Sequence, residues 1–175
     1  MTKLDNFVAK IRQERNLSDE VPGFDPQNGN ERARILFILE APGPKAVKTG
    51  YISFDNPDPT ANNFRDQLAK AGIDRLEIAI WNIVPWYIGD SNKFRPALMS
   101  DINKGKKYLG KLIDLLDNLE YVVLMGDKAR KAHVYLSYRT KVRILGCHHT
   151  SAQVVNNYPD KVLENIKVFS SLSIS

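Results

Sequence analysis

Short unbroken apolar runs alternate along this chain with stretches whose apolar residues recur every three or four positions. Ile35-Leu-Phe-Ile-Leu39 is too short for a helix and rich in β-formers, so it predicts a strand buried on both faces. Similar runs predict three more strands, over residues 77–81, 121–125 and 142–145. Leu4, Phe7, Val8 and Ile11 lie on one face of a helix expected over 4–15. Phe64, Leu68 and Ala71 do the same for a helix over 61–71, with Thr60 as its N-cap and Gly72 at its end. A lysine-rich helix follows Pro96, with Leu98, Ile102, Leu109, Leu112, Ile113 and Leu116 as its inward stripe. A short helix over 128–136 and a final one over 160–172, capped near Pro159-Asp160, complete the pattern. Strands alternating with helices predict an α/β fold whose parallel sheet is covered on both faces.

The connections carry the turn chemistry. Residues 21–30 are rich in Pro, Gly and Asn without a period and read as an extended loop. Ala41-Pro42-Gly43-Pro44, directly after Glu40, is expected neither to prolong the strand nor to begin a helix. Residues 89–95 read as a polar loop closed by Pro96. No repeat, low-complexity segment or linker interrupts the chain, so its 175 residues are expected to form one domain, 1–175.

Composition narrows the class. With 43% hydrophobic and 26% charged residues the chain has the balance of a soluble globular protein. No apolar run approaches the length of a membrane span, and residues 1–17 lack the apolar core of a signal peptide. Cys147 is the only cysteine, which excludes an intramolecular disulfide and a cysteine-ligated iron–sulfur cluster. The expectation is a cytoplasmic monomer without cofactor and without membrane association. A net charge of +5 tilts towards a polyanionic partner. Lys128, Arg130, Lys131, Arg139, Lys141 and Arg143 form a basic cluster in sequence, either a solvated face or a phosphate contact beside the third and fourth strand ends.

Each predicted strand ends in a different chemical group: Glu40, Asn82, Gly126-Asp127 and His148-His149. In open α/β sheets ligands collect beyond the carboxyl ends of the strands. Neighbouring strands are about 4.8 Å apart, so a ring the size of a nucleobase could touch several of these groups at once. Each has a plainer use as well: Glu40 as the cap of a buried turn, Asn82 as a backbone partner at a strand end. Trp81, Trp86 and Tyr87 read as packing, and Asp55, Asn56 and Asp58 as turn formers, since prolines interrupt any calcium-loop spacing. His133 lies in a helix away from these loops and reads as a surface or packed residue, and Cys147 as a buried small apolar one.

Glu40-Ala-Pro-Gly43 after one strand, Asn82 after the next and His149-Thr-Ser151 after the last resemble, in order and position, three motifs of the uracil-DNA glycosylase-like superfamily. The resemblance runs from about Val21 to the last helix. It is nearest to a branch with Pro-Gly-Pro-Lys, Asn-Asp-Pro-Thr-Ala-like and Trp-Asn-x-x-Pro-Trp-Tyr signatures, here residues 42–45, 56–61 with Pro57 inserted, and 81–87. It implies a three-layer α/β/α domain with a four-stranded parallel sheet in the order 2-1-3-4. It also implies a hydrolase that cleaves the N-glycosidic bond of uracil or a related damaged base, flipped out of DNA. On that reading Glu40 and His149 are the catalytic residues, the carboxylate facing the cation-like sugar and the imidazole donating to the leaving carbonyl oxygen. Asn82, which offers a donor and an acceptor together, reads the base edge, and Phe54, Ala41 and Gly43 stand with it at the base, although an isolated Phe such as Phe54 is more often core. Lys45, Lys128, Lys131, Arg143 and Ser151 are expected to contact DNA, and no metal is implied.

Three positions depart from the superfamily pattern. Leu39 stands where many relatives carry glycine, and Ala41 where the best-known branch carries its catalytic aspartate. Thr150 replaces the proline between His149 and Ser151, from which a looser loop is expected. The register favours His149 over His148 as the functional histidine. The competing reading is a module of the same fold that binds nucleic acid or a free base without catalysis. A nucleotide-binding protein of another kind is disfavoured, because no Walker-type or Gly-x-Gly-x-x-Gly loop follows the first strand.

Overall fold

The computed structural model of the chain describes residues 1–89 and 94–172. The elements run α1 (Lys3–Arg15), β1 (Gly23–Phe24), β2 (Ile35–Leu39), α2 (Pro44–Thr49), β3 (Tyr51–Ile52), α3 (Pro59–Ala71), β4 (Ile78–Asn82), α4 (Met99–Ile113), β5 (Tyr121–Met125), α5 (Gly126–Arg130), α6 (His133–Arg139), β6 (Arg143–Cys147), α7 (Ala152–Asn157) and α8 (Pro159–Ser170). Part of the polar loop expected over 89–95 lies outside the described residues.

The main sheet is parallel, with strand order β4-β2-β5-β6; counted by the strands expected from the sequence, this is second, first, third, fourth. One expectation is corrected: strand residues form two sheets. β1 and β3 pair in parallel in a separate two-stranded sheet; β1 lies in the stretch that read as an extended loop, and neither strand was expected.

Register decides which layer each face meets. Phe37 pairs with Ile80 and Ile38 with Trp81, so the two pairs occupy opposite faces. Phe37 meets Phe64 of α3 at 5.0 Å and Phe169 of α8 at 5.3 Å, both edge-on. Trp81 stacks on Phe24 at 4.3 Å and tilts against Phe7 of α1 at 5.7 Å. Helices therefore cover both faces, and Trp81, fully buried, is core as expected. The apolar run of β2 is buried from Ile35 to Ile38, the signature of a strand covered on both sides. Trp86 is also packing, edge-on to Tyr108 and covered by the Arg15 guanidinium. Among the described residues no helix is long and apolar enough to cross a membrane.

Several boundaries move for local reasons. Pro44 does begin a helix, because at the first helical position its missing N–H costs nothing and its fixed φ suits the turn. The cap of α3 is Asp58, which accepts from Ala61 N–H at 2.9 Å; Pro59 takes the first helical position and Thr60 lies inside. Leu98 is not on the inward stripe of α4, since it precedes the helix and is exposed. The helix expected over 128–136 is two, α5 and α6, and α7 was not anticipated. The last strand extends to Cys147, whose thiol burial pushes its pKa up to about 12.

Candidate active site

A cavity of about 340 Å³ opens at the carboxyl edge of the main sheet, bordered by Glu40, Asn82, His149 and residues 41–46. The ladder explains why these residues converge. Leu39 pairs with Asn82, and Met125 pairs with Cys147, so the residues just beyond share one edge. The ladder continues past the strand end: Ile83 N–H donates to Leu39 O at 2.8 Å and Val84 N–H to Glu40 O at 3.0 Å. The Glu40 main chain is therefore fixed even though it follows the last residue of β2.

The Glu40 side chain is partly buried and accepts from the Ala97 N–H at 2.6 Å. A carboxylate held by a charge-assisted bond has one preferred direction.

Asn82 is the last residue of β4, inside the strand rather than after it, and only 3% exposed. Its amide nitrogen has no hydrogen-bond partner among the described residues, while the residue lines the cavity. A buried donor left without a partner costs about 1–3 kcal/mol, which a ligand acceptor would recover.

His149 lines the cavity, and its Nδ1 accepts from Ser151 N–H at 3.1 Å. A backbone N–H can only donate, so Nδ1 carries the lone pair and the neutral ring holds its proton on Nε2. Burial lowers the His149 pKa below the ordinary histidine value, with the Glu40 carboxylate partly opposing. The ring is thus a neutral donor through Nε2. His148 turns elsewhere: its Nε2 meets Glu164 at 2.6 Å, and its peptide is bonded on both sides by Asn165 of α8.

The loop holding His149 is not loosened by Thr150, a correction of the expectation from the missing proline. Thr150 is fully buried, its hydroxyl donates to Thr60 O at 3.1 Å, and its carbonyl accepts from Asn63 Nδ2 at 2.9 Å. Two bonds to the start of α3 take the place of a rigid ring. Ser151 caps α7 through its Oγ at 3.4 Å from Val154 N and does not line the cavity.

Other expected site residues divide. Ala41, Gly43 and Lys45 line the cavity. Phe54 does not: it packs edge-on to Phe64 under the Arg75 guanidinium, 4.6 Å from its ring centre. The aromatic walls are instead Phe64, buried, and Phe94, 42% exposed. Phe64 read as core from its spacing, and Phe94 carried no signal within its polar loop. Asn56 and Asp58 border the cavity, but their side chains serve turns: Asn56 accepts from Thr49 Oγ1 at 2.7 Å, and Asp58 caps α3.

The basic cluster is split by the fold. Arg143 begins β6, paired with Tyr121 at the start of β5, so it lies on the edge opposite the cavity. It bonds Tyr121 Oη at 3.2 Å and does not border the cavity beside which a DNA contact was expected of it. Lys128 lies on the correct edge, but its ammonium donates to Ala97 O at 2.7 Å. Lys131 is exposed at the end of α5.

A family model described as the uracil DNA glycosylase superfamily matches residues 26–170. The chain belongs to that superfamily. Every cavity residue named above falls within the matched span. Among solved structures the chain is similar to the solution NMR structure of a "putative Uracil DNA glycosylase" from Methanosarcina acetivorans. The two are 16% identical, with a TM-score of 0.58 over 80% of this chain and 91% of that one. At that identity the likeness concerns the superfamily fold alone. No curated protein matches the chain.

Proposed function

We propose that the protein is a DNA glycosylase that hydrolyses the N-glycosidic bond of uracil or a related damaged base. The observation that carries this reading is the meeting of three groups at one cavity: the held carboxylate of Glu40, the neutral Nε2 donor of His149 and the unpartnered amide of Asn82. The base leaves the stack to reach them, because the bond is inaccessible in a duplex. As the C1′–N bond lengthens, its electron pair moves onto the base and the sugar becomes cation-like. Glu40 stabilises that cation and orients the water whose oxygen attacks C1′; the water's surplus proton passes to the carboxylate and then to solvent. His149 Nε2–H donates to the base carbonyl on which negative charge grows, an interaction stronger in the transition state than in the ground state. Asn82 donates to an acceptor on the base edge, and Phe64 and Phe94 bound the ring.

The test is excision from a panel of single- and double-stranded oligonucleotides bearing uracil and other modified bases. Release of uracil, leaving an alkali-labile abasic site, is the expected result. Binding of the panel without release of any base would replace this reading with that of a base-binding module of the same fold.

A further inference from the structure

Lys128 read from the sequence as a DNA contact, but its surroundings give it another task. The Ala97 peptide is fully buried between two ionic groups. On one side its N–H donates to Glu40 Oε1 at 2.6 Å, and on the other its carbonyl accepts from Lys128 Nζ at 2.7 Å. A peptide bonded to a carboxylate at its N–H end and an ammonium at its carbonyl end is polarised by both, and each bond strengthens the other. Arg95 and Asp101 fix the flanking backbone: the guanidinium grips the carboxylate at 2.7 and 3.1 Å, and the same carboxylate accepts from Leu98 N–H at 2.9 Å. Residues 95–98 are thereby a brace beside the Glu40 side chain.

The origin of Lys128 makes the connection specific. It lies on α5, the five-residue helix that begins at Gly126 directly after β5. Gly126, in turn, backs the imidazole of His149. One short helix thus reaches two residues of the cavity, the histidine through its first residue and the glutamate, by way of the Ala97 peptide, through its third.

We infer that Lys128 is a positioning residue: it holds the Ala97 peptide in the orientation that aims the Glu40 carboxylate. The inference rests on the proposed role of Glu40 for its effect on rate, but the bond network can be tested without catalysis. A displacement on the order of 1 Å in a reacting group costs about 10²-fold in rate, so loosening the brace should be visible in the chemical step.

The experiment has two arms, each applied to wild type, Lys128→Met and Lys128→Arg. The first measures hydrogen exchange of the Ala97 amide by NMR. Lys128→Met should lose the protection of that amide and Lys128→Arg should restore much of it. The second measures single-turnover excision, with affinity for single-stranded DNA followed separately across salt. Lys128→Met should slow excision by about 10- to 100-fold with affinity and salt slope unchanged, and Lys128→Arg should recover part of the rate. Ala97 exchange identical in wild type and Lys128→Met would overturn the inference. So would a weaker affinity and a shallower salt slope without loss of protection, the outcome of a simple phosphate contact. A loosened amide with an unchanged excision rate would overturn it too. If the wild type excised nothing, the proposed activity would fail, while the exchange arm would still decide whether Lys128 holds the Ala97 peptide.

Discussion

Gly126 lies so close to His149 that a Cβ added at position 126 would stand 3.1 Å from the His149 Cβ and 3.4 Å from Cδ2. The residue also has φ of +83°, a region that side chains with Cβ rarely adopt. Gly126→Ala therefore meets backbone strain and a ring that must give way. It is expected to lower stability by about 1–3 kcal/mol and to slow excision as well. Urea unfolding with parallel single-turnover assays measures both; unchanged values for each would mean that the ring does not depend on this contact.

The half-buried imidazole of His149 also ties stability to pH. An unfolded chain binds a proton on this histidine near 6.5, whereas the folded protein, whose His149 pKa is lowered by burial, binds it only at lower pH. Between the two the unfolded state holds more protons, so acidification favours unfolding, and the loss levels off once the folded-state ring is protonated. The thermal midpoint of the wild type should fall as pH drops below about 6.5. His149→Gln should fall less steeply over the same range, and parallel curves would contradict the account.

Gly105 of α4 tests the support beneath Glu40. A Cβ there would lie 1.8 Å from Ile83 O, in the stretch whose N–H groups hold the Leu39 and Glu40 carbonyls. Helix propensity alone would make Gly105→Ala stabilising by about 1 kcal/mol. The contact predicts the opposite sign, a loss of about 1–3 kcal/mol from overpacking. Denaturant unfolding of the variant decides between them.

The split of the basic cluster predicts which charges meet DNA. Lys45 lines the cavity and Lys131 is exposed at the end of α5, near the same edge of the sheet. Lys45→Gln and Lys131→Gln should each weaken single-stranded DNA binding and reduce the slope of log affinity against log salt by about 0.7. Arg143→Gln, at the far edge, should change neither. Titrations at several salt concentrations check this, and an effect of Arg143 as large as that of Lys45 would contradict it.

The parts of this molecule that were legible in the sequence are those governed by period and by strand ends. Ile35 to Leu39 read as an interior strand, Glu40, Asn82 and the His148-His149 pair followed from the ends of three strands, and the superfamily resemblance singled out His149. What stayed hidden depends on distant partners. Phe54 and Phe64 differ in role because of how α3 sits on the sheet, which no local pattern encodes. Arg143 and Lys128 are close in sequence, yet they sit at opposite ends of the sheet because β6 runs parallel to β5. Thr150 replaced a stiff proline with two tertiary bonds, to Thr60 and Asn63, invisible before those residues were brought near. β1 and β3 were missed because two-residue strands leave no periodicity to read.

The central claim is that Glu40, Asn82 and His149 act together on one flipped base, and single-turnover excision of uracil under saturating enzyme tests it most directly. His149→Ala should slow the chemical step by about 10²–10³-fold, the usual loss for one donor aimed at developing negative charge. Glu40→Gln should slow it with DNA affinity nearly intact, and Asn82→Asp should impair excision because a carboxylate offers no donor to the base edge. Wild-type rates in all three variants would contradict the account.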